Sequence, residues 1–396
     1  MGSNQKIGVT TATIIGMNAM IGSGIFTIPA TLANQVGPAG ILTMIFVTFA
    51  VWFMAISLAR VAALFSTEGS FYTYVKPWGG HKIALLAASL YLIGLIVAMG
   101  LLSQIAGYTL QTFFPNSSPH LLGQICLILL IILNLFGVTL SEIGQQILIC
   151  TTIFPLIASI GLCLTKINPA NLTPFAPHGW LSILKASKTV IFSFFGFECA
   201  ASLFAIVQDP QKNVPRALAY SISLVGVLYI LFTSAVIMTL PLEIFVNPTV
   251  PITSALAAVF PNLHWPIVAI HIAILSAIIG TIHSMIWTSS NLLISLVEKC
   301  DVLTHKYLVG RKLSAKSAVL IIGGAIYASF ATINNVDLFF SMTAACIVSA
   351  YIGSMITLLT LPQEWRSGQN IKTIIGLSTA TVILYFAVES LIVALT

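Results

Sequence analysis

Met20 to Ala30, MIGSGIFTIPA, places Gly22, Ser23 and Gly24 in the middle of a membrane-length apolar run. Hydrocarbon holds no water to satisfy loose backbone groups, so such a break survives only where it lines a protein cavity. Behind Ile21 the first N–H groups of the second half-helix lack helical partners, and its positive dipole end faces the gap. A carboxylate fits there. A second interruption falls at Gly196 in IFSFFGFECAASLFAI, Ile191 to Ile206. The first half of that segment ends at the break and frees the carbonyls of Ser193, Phe194 and Phe195 as acceptors for an ammonium group. Carboxylate at one break and ammonium at the other define an α-amino acid. The structural alternative is that both glycine motifs are close-packing points of the small-xxx-small kind.

Glu198, two residues past the second break, is the one carboxylate deep in an apolar segment. A charge at the centre of a span costs roughly 2.5 to 3.5 kcal/mol by insertion scales. An acid in that position either responds to protons or bridges helices as a neutral carboxyl. Asp337 and Glu389 lie near segment ends and are expected to be solvated.

The elements that must position these groups follow from composition. Hydrophobic residues make up 58% of the chain and charged residues 7%, against about 25% charged in soluble domains; the mean hydropathy is +1.03. Apolar runs of about 20 residues fall near 8–33, 39–64, 82–112, 121–137, 145–165, 184–207, 215–240, 265–296, 317–333, 337–360 and 372–395, eleven expected spans. With the N-terminus cytoplasmic, thirteen basic residues fall inside and only Lys166, Lys185 and Lys188 outside, as the positive-inside bias requires. The net charge of +6 is then topology, and no clustered basic face points to nucleic acid. The six cysteines have neither CxxC nor metal-ligand spacing, so free thiols, no metal and no cofactor are expected. The first span lacks a small-residue cleavage site and is read as a retained helix.

No linker divides the chain, so residues 1–396 read as a single all-α integral membrane domain. The first ten spans divide into two sets of five, residues 1–165 and 166–360, with 361–396 as an extra C-terminal span. An odd number per set inverts the second relative to the first, which gives a five-plus-five inverted-repeat transporter fold with spans 1 and 6 broken. Thr67 to Gly80, polar yet aromatic, suits a short interfacial helix. Pro241 to Pro266 contains a helical stretch near Thr253 to Phe260 that reads equally as an outer lid or a passive connector.

NAMIGSGIFTIPA in span 1, EGSFYTYV after span 2, NLFGV with a downstream Pro155, and FSFFGFE followed by QDPQKNVPRA occur in order over nearly the whole chain. In this the sequence resembles the amino acid-polyamine-organocation transporters, and within them the bacterial basic amino acid antiporters of the arginine/agmatine type. The resemblance implies a substrate site made of Ile21, Gly22, Ser23, Gly24, Tyr91, Met99, Phe192, Ser193, Phe194, Phe195, Trp287 and Ser341. It makes Glu198 a proton-coupling or gating acid, and Trp287, Phe192 and Phe195 an aromatic box in which a cation over a ring gains about 0.5 to 2 kcal/mol. Two departures bear on the substrate: Met99 stands where those antiporters use an asparagine, and Phe192 where they use a tryptophan. Thr152 stands where some family members place a proton-coupling lysine. His283, one turn before Trp287, is expected to be a neutral histidine bonded between helices. The family usually has twelve spans, and this chain ends after eleven.

The implied function is secondary amino acid transport by alternating access, as an exchanger of an amino acid with an amine or another amino acid. Two alternatives stand beside it: proton-coupled uptake or export of neutral amino acids, and a membrane sensor that binds without transport. An enzyme is not expected, because catalysis needs converging nucleophile, base or metal ligands. The expected partners are a small amino acid or amine and the lipid bilayer, with a homo-oligomer left open. The expected location is a bacterial inner membrane, N-terminus cytoplasmic and C-terminus outside.

Overall fold

The computed structural model describes residues 6–65, 71–137, 142–198, 207–245, 251–300, 313–361 and 370–396. The second half of the Gly196 segment, 199–206, lies outside the described residues, as do the first residues of the expected interfacial helix and Val138 of NLFGV.

Among the described residues the chain is helical, with one isolated bridge between Ile7 and Val207. The first expected span is cut into α1 (Val9–Met20) and α2 (Ile28–Gln35), and α3 (Gly40–Leu64) follows. The helix α4 (Phe71–Gln111) has 41 residues, about 60 Å at 1.5 Å each and twice the roughly 30 Å hydrocarbon thickness. It is divided at Gly80, where φ is 68°, a left-handed value that glycine tolerates. The leading piece is helical over part of the stretch expected to form an interfacial helix, and Trp78 Nε1 donates to Gly353 O at 2.9 Å.

Next come α5 (Pro119–Leu135), capped by Ser118, and α6 (Glu142–Leu164). Broken span 6 begins with two short pieces, α7 (Leu181–Lys185) and α8 (Ser187–Val190). The remainder is α9 (Pro210–Thr239), α10 (Ile252–Val259), α11 (His264–Lys299), α12 (Ala315–Thr332), α13 (Val336–Thr360) and α14 (Asn370–Leu395). Seven of these helices are long and apolar enough to cross a membrane. Helix α3 is apolar on all sides, as a helix facing protein on one side and lipid on the other must be.

The breaks sit between α4, α9, α11 and α13. Helix α4 packs on α5, α11 and α13, α9 packs on α1 and α3, and α14 closes over α3 and α13. The short α10 matches the helical stretch expected between spans 7 and 8. It is docked through Thr253 Oγ1 to His271 Nδ1 on α11, while His271 Nε2 meets Thr109 O at 2.8 Å.

Candidate functional site

At the first break Ile21 N–H still bonds to Met17 O at 2.8 Å, after which Gly22 is extended and Ser23–Phe26 form a single 3-10 turn. The N–H groups of Ser23 and Gly24 open that turn, ahead of any helical acceptor. At the second break Ile191–Phe194 form another 3-10 turn, Phe195 turns out at ψ 140°, and Gly196 adopts φ 111°. A Cβ on Gly196 would stand 2.1 Å from Ala19 O, so the two broken segments cross in backbone contact. Only glycine combines that φ with that approach.

A cavity opens where they cross. It is lined by Ala19, Met20, Gly22, Gly24, Leu95, Ala98, Met99, Leu102, Phe192, Ser193, Phe195, Thr281, Met285 and Ile347. Its volume open to water centres is about 50 Å³, room for a few waters at roughly 10 to 15 Å³ each. Gly22, Gly24, Met99, Phe192, Ser193 and Phe195 are thus brought together as the sequence led one to expect. The side chain of Ser23 lies outside the described residues.

The other expected residues stand elsewhere. Ile21 is buried and faces a second cavity with Asn18, Thr152, Ala277, Gly280, Thr281 and Ser284. Phe194 is fully buried and packs edge-on against Tyr229, ring centres 5.2 Å apart. Tyr91 is directed at Glu198, and Ser341 is hydrogen-bonded to Lys188 at 3.0 Å. Trp287 is 55% exposed; the α11 side chains at the cavity are Thr281 and Met285. Two residues along a helix turn the side chain by about 200°, so with Met285 facing the cavity Trp287 faces away. The three-aromatic box is not assembled: Phe192 and Phe195 stand edge-to-face at 6.2 Å without a third ring from α11.

The expected free carbonyl of Ser193 already has a partner. The hydroxyl of Tyr229 on α9, fully buried, reaches Met20 O at 3.0 Å and Ser193 O at 3.2 Å, joining the carbonyl ends of both broken segments. A carbonyl oxygen has two lone pairs, so Ser193 O keeps one.

Glu198 has close partners as well. Oε1 accepts from Tyr91 at 2.7 Å, while Oε2 accepts from Tyr351 at 2.7 Å and from Gly196 N–H at 3.0 Å. Phe71 packs on the rings of both tyrosines, and Phe195 and Phe197 pack on that of Tyr351. One acid therefore ties the second break to α4 and α13. Asp337, expected in solvent, keeps 36% of its side chain exposed and is paired with a buried Lys188 at 2.6 Å.

A profile of the amino acid permease family matches residues 7–395, almost the whole chain. The chain belongs to this family. The permease is similar to an uncharacterized amino acid permease, YecA, of Bacillus subtilis, at 27% identity over 56% of this chain and 53% of the relative. It is similar to the branched-chain amino acid permease BcaP of the same organism, at 23% identity over 65% of this chain and 60% of the relative. The vacuolar cationic amino acid transporter 4 of Arabidopsis thaliana matches at 26% identity over 63% of this chain and 46% of that protein. The chain spans about half to three fifths of the length of these relatives. Membership and the seven apolar helices make it an integral membrane protein, and its relatives are permeases and transporters, not enzymes.

The permease's cavity also uses residues that sequence reasoning passed over. Leu95, Ala98, Leu102, Met285 and Ile347 are ordinary apolar positions in apolar helices, and nothing in their type marks them. Tyr229 and Tyr351 carry a signal in retrospect, since a phenol inside a span needs a polar partner. His283 is bonded between helices as expected, through Asn134 Nδ2 at 3.0 Å.

Proposed function

We propose that this permease carries neutral α-amino acids with apolar side chains across a membrane by alternating access. The observation that carries the reading is the cavity lining: backbone at two helix breaks on one side, and Leu95, Met99, Leu102, Met285, Ile347, Phe192 and Phe195 on the other, with no charged side chain. Ser23 and Gly24 N–H groups receive the carboxylate, and carbonyls at the breaks receive the ammonium. The side chain then gains by apolar burial, about 25 cal/mol per Å².

A cationic side chain would find ring faces and no carboxylate, because the nearest acid, Glu198, is engaged by three donors. The branched-chain specificity in the name of BcaP supports the apolar choice. The arginine/agmatine assignment relied on Trp287, which faces away from the cavity. Exchange is the transport mode we assign, since Thr152 carries no proton. The working architecture is eleven spans in the five-plus-five inverted arrangement, N-terminus cytoplasmic, in a bacterial inner membrane.

Counterflow in proteoliposomes tests the reading. Labelled leucine and methionine are expected to exchange, arginine and agmatine not. Exchange of arginine without leucine would reverse the substrate assignment, and binding without exchange of any of them would make the protein a sensor.

A further inference from the structure

Lys188 is the most deeply buried charged side chain whose role the substrate site leaves unexplained; it is 6% exposed. The sequence counts it with the basic residues outside. It lies in α8, one turn before the cavity residue Phe192. Its ammonium has three donors, and all three are used: Asp337 Oδ2 at 2.6 Å, Ser341 Oγ at 3.0 Å and Ser390 Oγ at 2.5 Å. Asp337 is held from further sides, by Ser390 Oγ at 2.9 Å and by Gln35 Nε2 at 3.0 Å on its other oxygen. Gln35 Oε1 in turn accepts from Thr189 at 3.2 Å.

The cluster joins four helices. Gln35 ends α2, the half-helix after the first break; Lys188 and Thr189 belong to α8, on the half before the second. Asp337 and Ser341 lie on α13, and Ser390 lies on α14. The broken segments are thereby tied to unbroken helices on the side of the cavity away from Glu198. Below the cluster Phe192 packs edge-on against Phe340 at 5.1 Å, so a polar layer and an aromatic layer together cover the cavity. The nearby pair Lys185 and Glu389 is 3.5 Å apart with side chains 50% and 37% exposed, and exposed pairs hold little; the inner pair differs in its lysine, 8% exposed against 36% for Asp337, and in its shorter distance of 2.6 Å.

Resting on the alternating-access reading, we propose that Lys188, Asp337 and Ser390 form a latch that shuts the cavity on that side, and that α14 is a working part of the gate. Opening on that side separates α2 and α8 from α13 and α14, which requires the Lys188 ammonium to leave Asp337. Helix α14 supplies both an acceptor for Lys188 and a donor to Asp337 from one hydroxyl, so its role exceeds covering the bundle.

The test is cavity accessibility. Leu102→Cys is placed in a chain whose six native cysteines are replaced by alanine, and its reaction with a membrane-impermeant thiol reagent is followed from each side of oriented vesicles. Lys188→Gln and Asp337→Asn are expected to speed labelling from the latch side about tenfold, a modest shift in a two-state equilibrium. Ser390→Ala is expected to speed it less, with labelling from the opposite side unchanged or slower. The apolar pair Lys188→Met with Asp337→Leu keeps the fold testable if single variants fail to insert, and it should return labelling toward the starting rate. Equal labelling in all variants, or acceleration from both sides alike, would overturn the latch. Leucine counterflow in the same vesicles separates this outcome from failure of the transport reading: exchange with labelling insensitive to Lys188 removes the latch alone. Lys188-dependent labelling with no exchange of any substrate removes the transport reading.

Discussion

On one side of the cavity a carboxyl, Glu198, gathers two phenols and a backbone N–H, whereas on the other an ammonium, Lys188, gathers a carboxylate and two hydroxyls. The two clusters differ in how they meet the breaks. Glu198 takes the N–H of Gly196 itself, so any rearrangement of the second break alters its hydrogen bonds directly. Lys188 lies one turn before Phe192, which packs edge-on against Phe340, and makes no hydrogen bond to the backbone at either break among those described. A ligand seated at the breaks therefore acts at first hand on the Glu198 side and at second hand on the Lys188 side.

The largest effect is expected where both sides depend on one residue. A Cβ on Gly24 would already stand 3.0 Å from the Phe192 ring, and Gly24→Leu fills the seat and pushes that ring toward Phe340. Leucine binding is expected to vanish while inserted, folded protein remains, which equilibrium binding and gel filtration in detergent check together. Retained affinity would remove the carboxylate seat from the first break.

Glu198→Gln breaks the first side alone. An amide keeps one acceptor oxygen but places an NH₂ against a hydroxyl or the Gly196 N–H, and a hydrogen bond to a charged group is worth about 1.5 to 3 kcal/mol. Leucine exchange by Glu198→Gln is expected to fall severalfold, because the ties from the second break to Tyr91 on α4 and Tyr351 on α13 are weakened. Unchanged leucine counterflow in proteoliposomes would reduce Glu198 to a structural bridge.

Tyr229→Phe addresses what the two sides share, because its hydroxyl joins Met20 O to Ser193 O. Loss of an ordinary hydrogen bond costs about 1 kcal/mol, a factor of about five, and the expected result is that much weaker leucine binding with a modest fall in thermal stability. An unchanged affinity would mean that the carbonyls hold their geometry without α9.

The breaks were legible in the sequence because a membrane segment has few reasons to carry GSG or an FGFE, and each reason is local. Gly22, Gly24, Phe192, Ser193 and Phe195 lie within a few residues of those interruptions and come to the cavity with them; Met99 came through the family likeness. Tyr91 and Ser341 were expected at the substrate and are hydrogen-bonded to Glu198 and Lys188, ionic groups on other elements that spacing along the chain does not reveal. Asp337 was read as solvated since it lies near a segment end, and Lys188 was counted outside; Asp337 keeps 36% of its side chain exposed, yet α2, α8, α13 and α14 converge there and bury the lysine. Among the described residues seven helices satisfy length and apolarity outright. The segments interrupted at Gly22 and Gly196 do not, since the break cuts each into shorter pieces.

The smallest effect is expected at Trp287, and it decides between the two substrate classes. Family likeness put this ring over the substrate, where a cation would gain about 0.5 to 2 kcal/mol, or roughly 2- to 30-fold. In the structure the side chain is more than half exposed while Met285, two residues earlier, occupies the cavity wall. An indole on that outer face contributes to packing or lipid contact, and replacing it with leucine keeps an apolar surface there. Trp287→Leu should therefore change leucine and methionine counterflow by less than about twofold, within the roughly 0.5 kcal/mol typical of surface substitutions. Met285→Ala, which removes apolar surface from the wall itself, should weaken both more than Trp287→Leu does. If the order is reversed, and Trp287→Leu also abolishes an arginine exchange that wild type displays, then α11 must rotate during transport to bring the ring inward. The cationic assignment would then replace the neutral one.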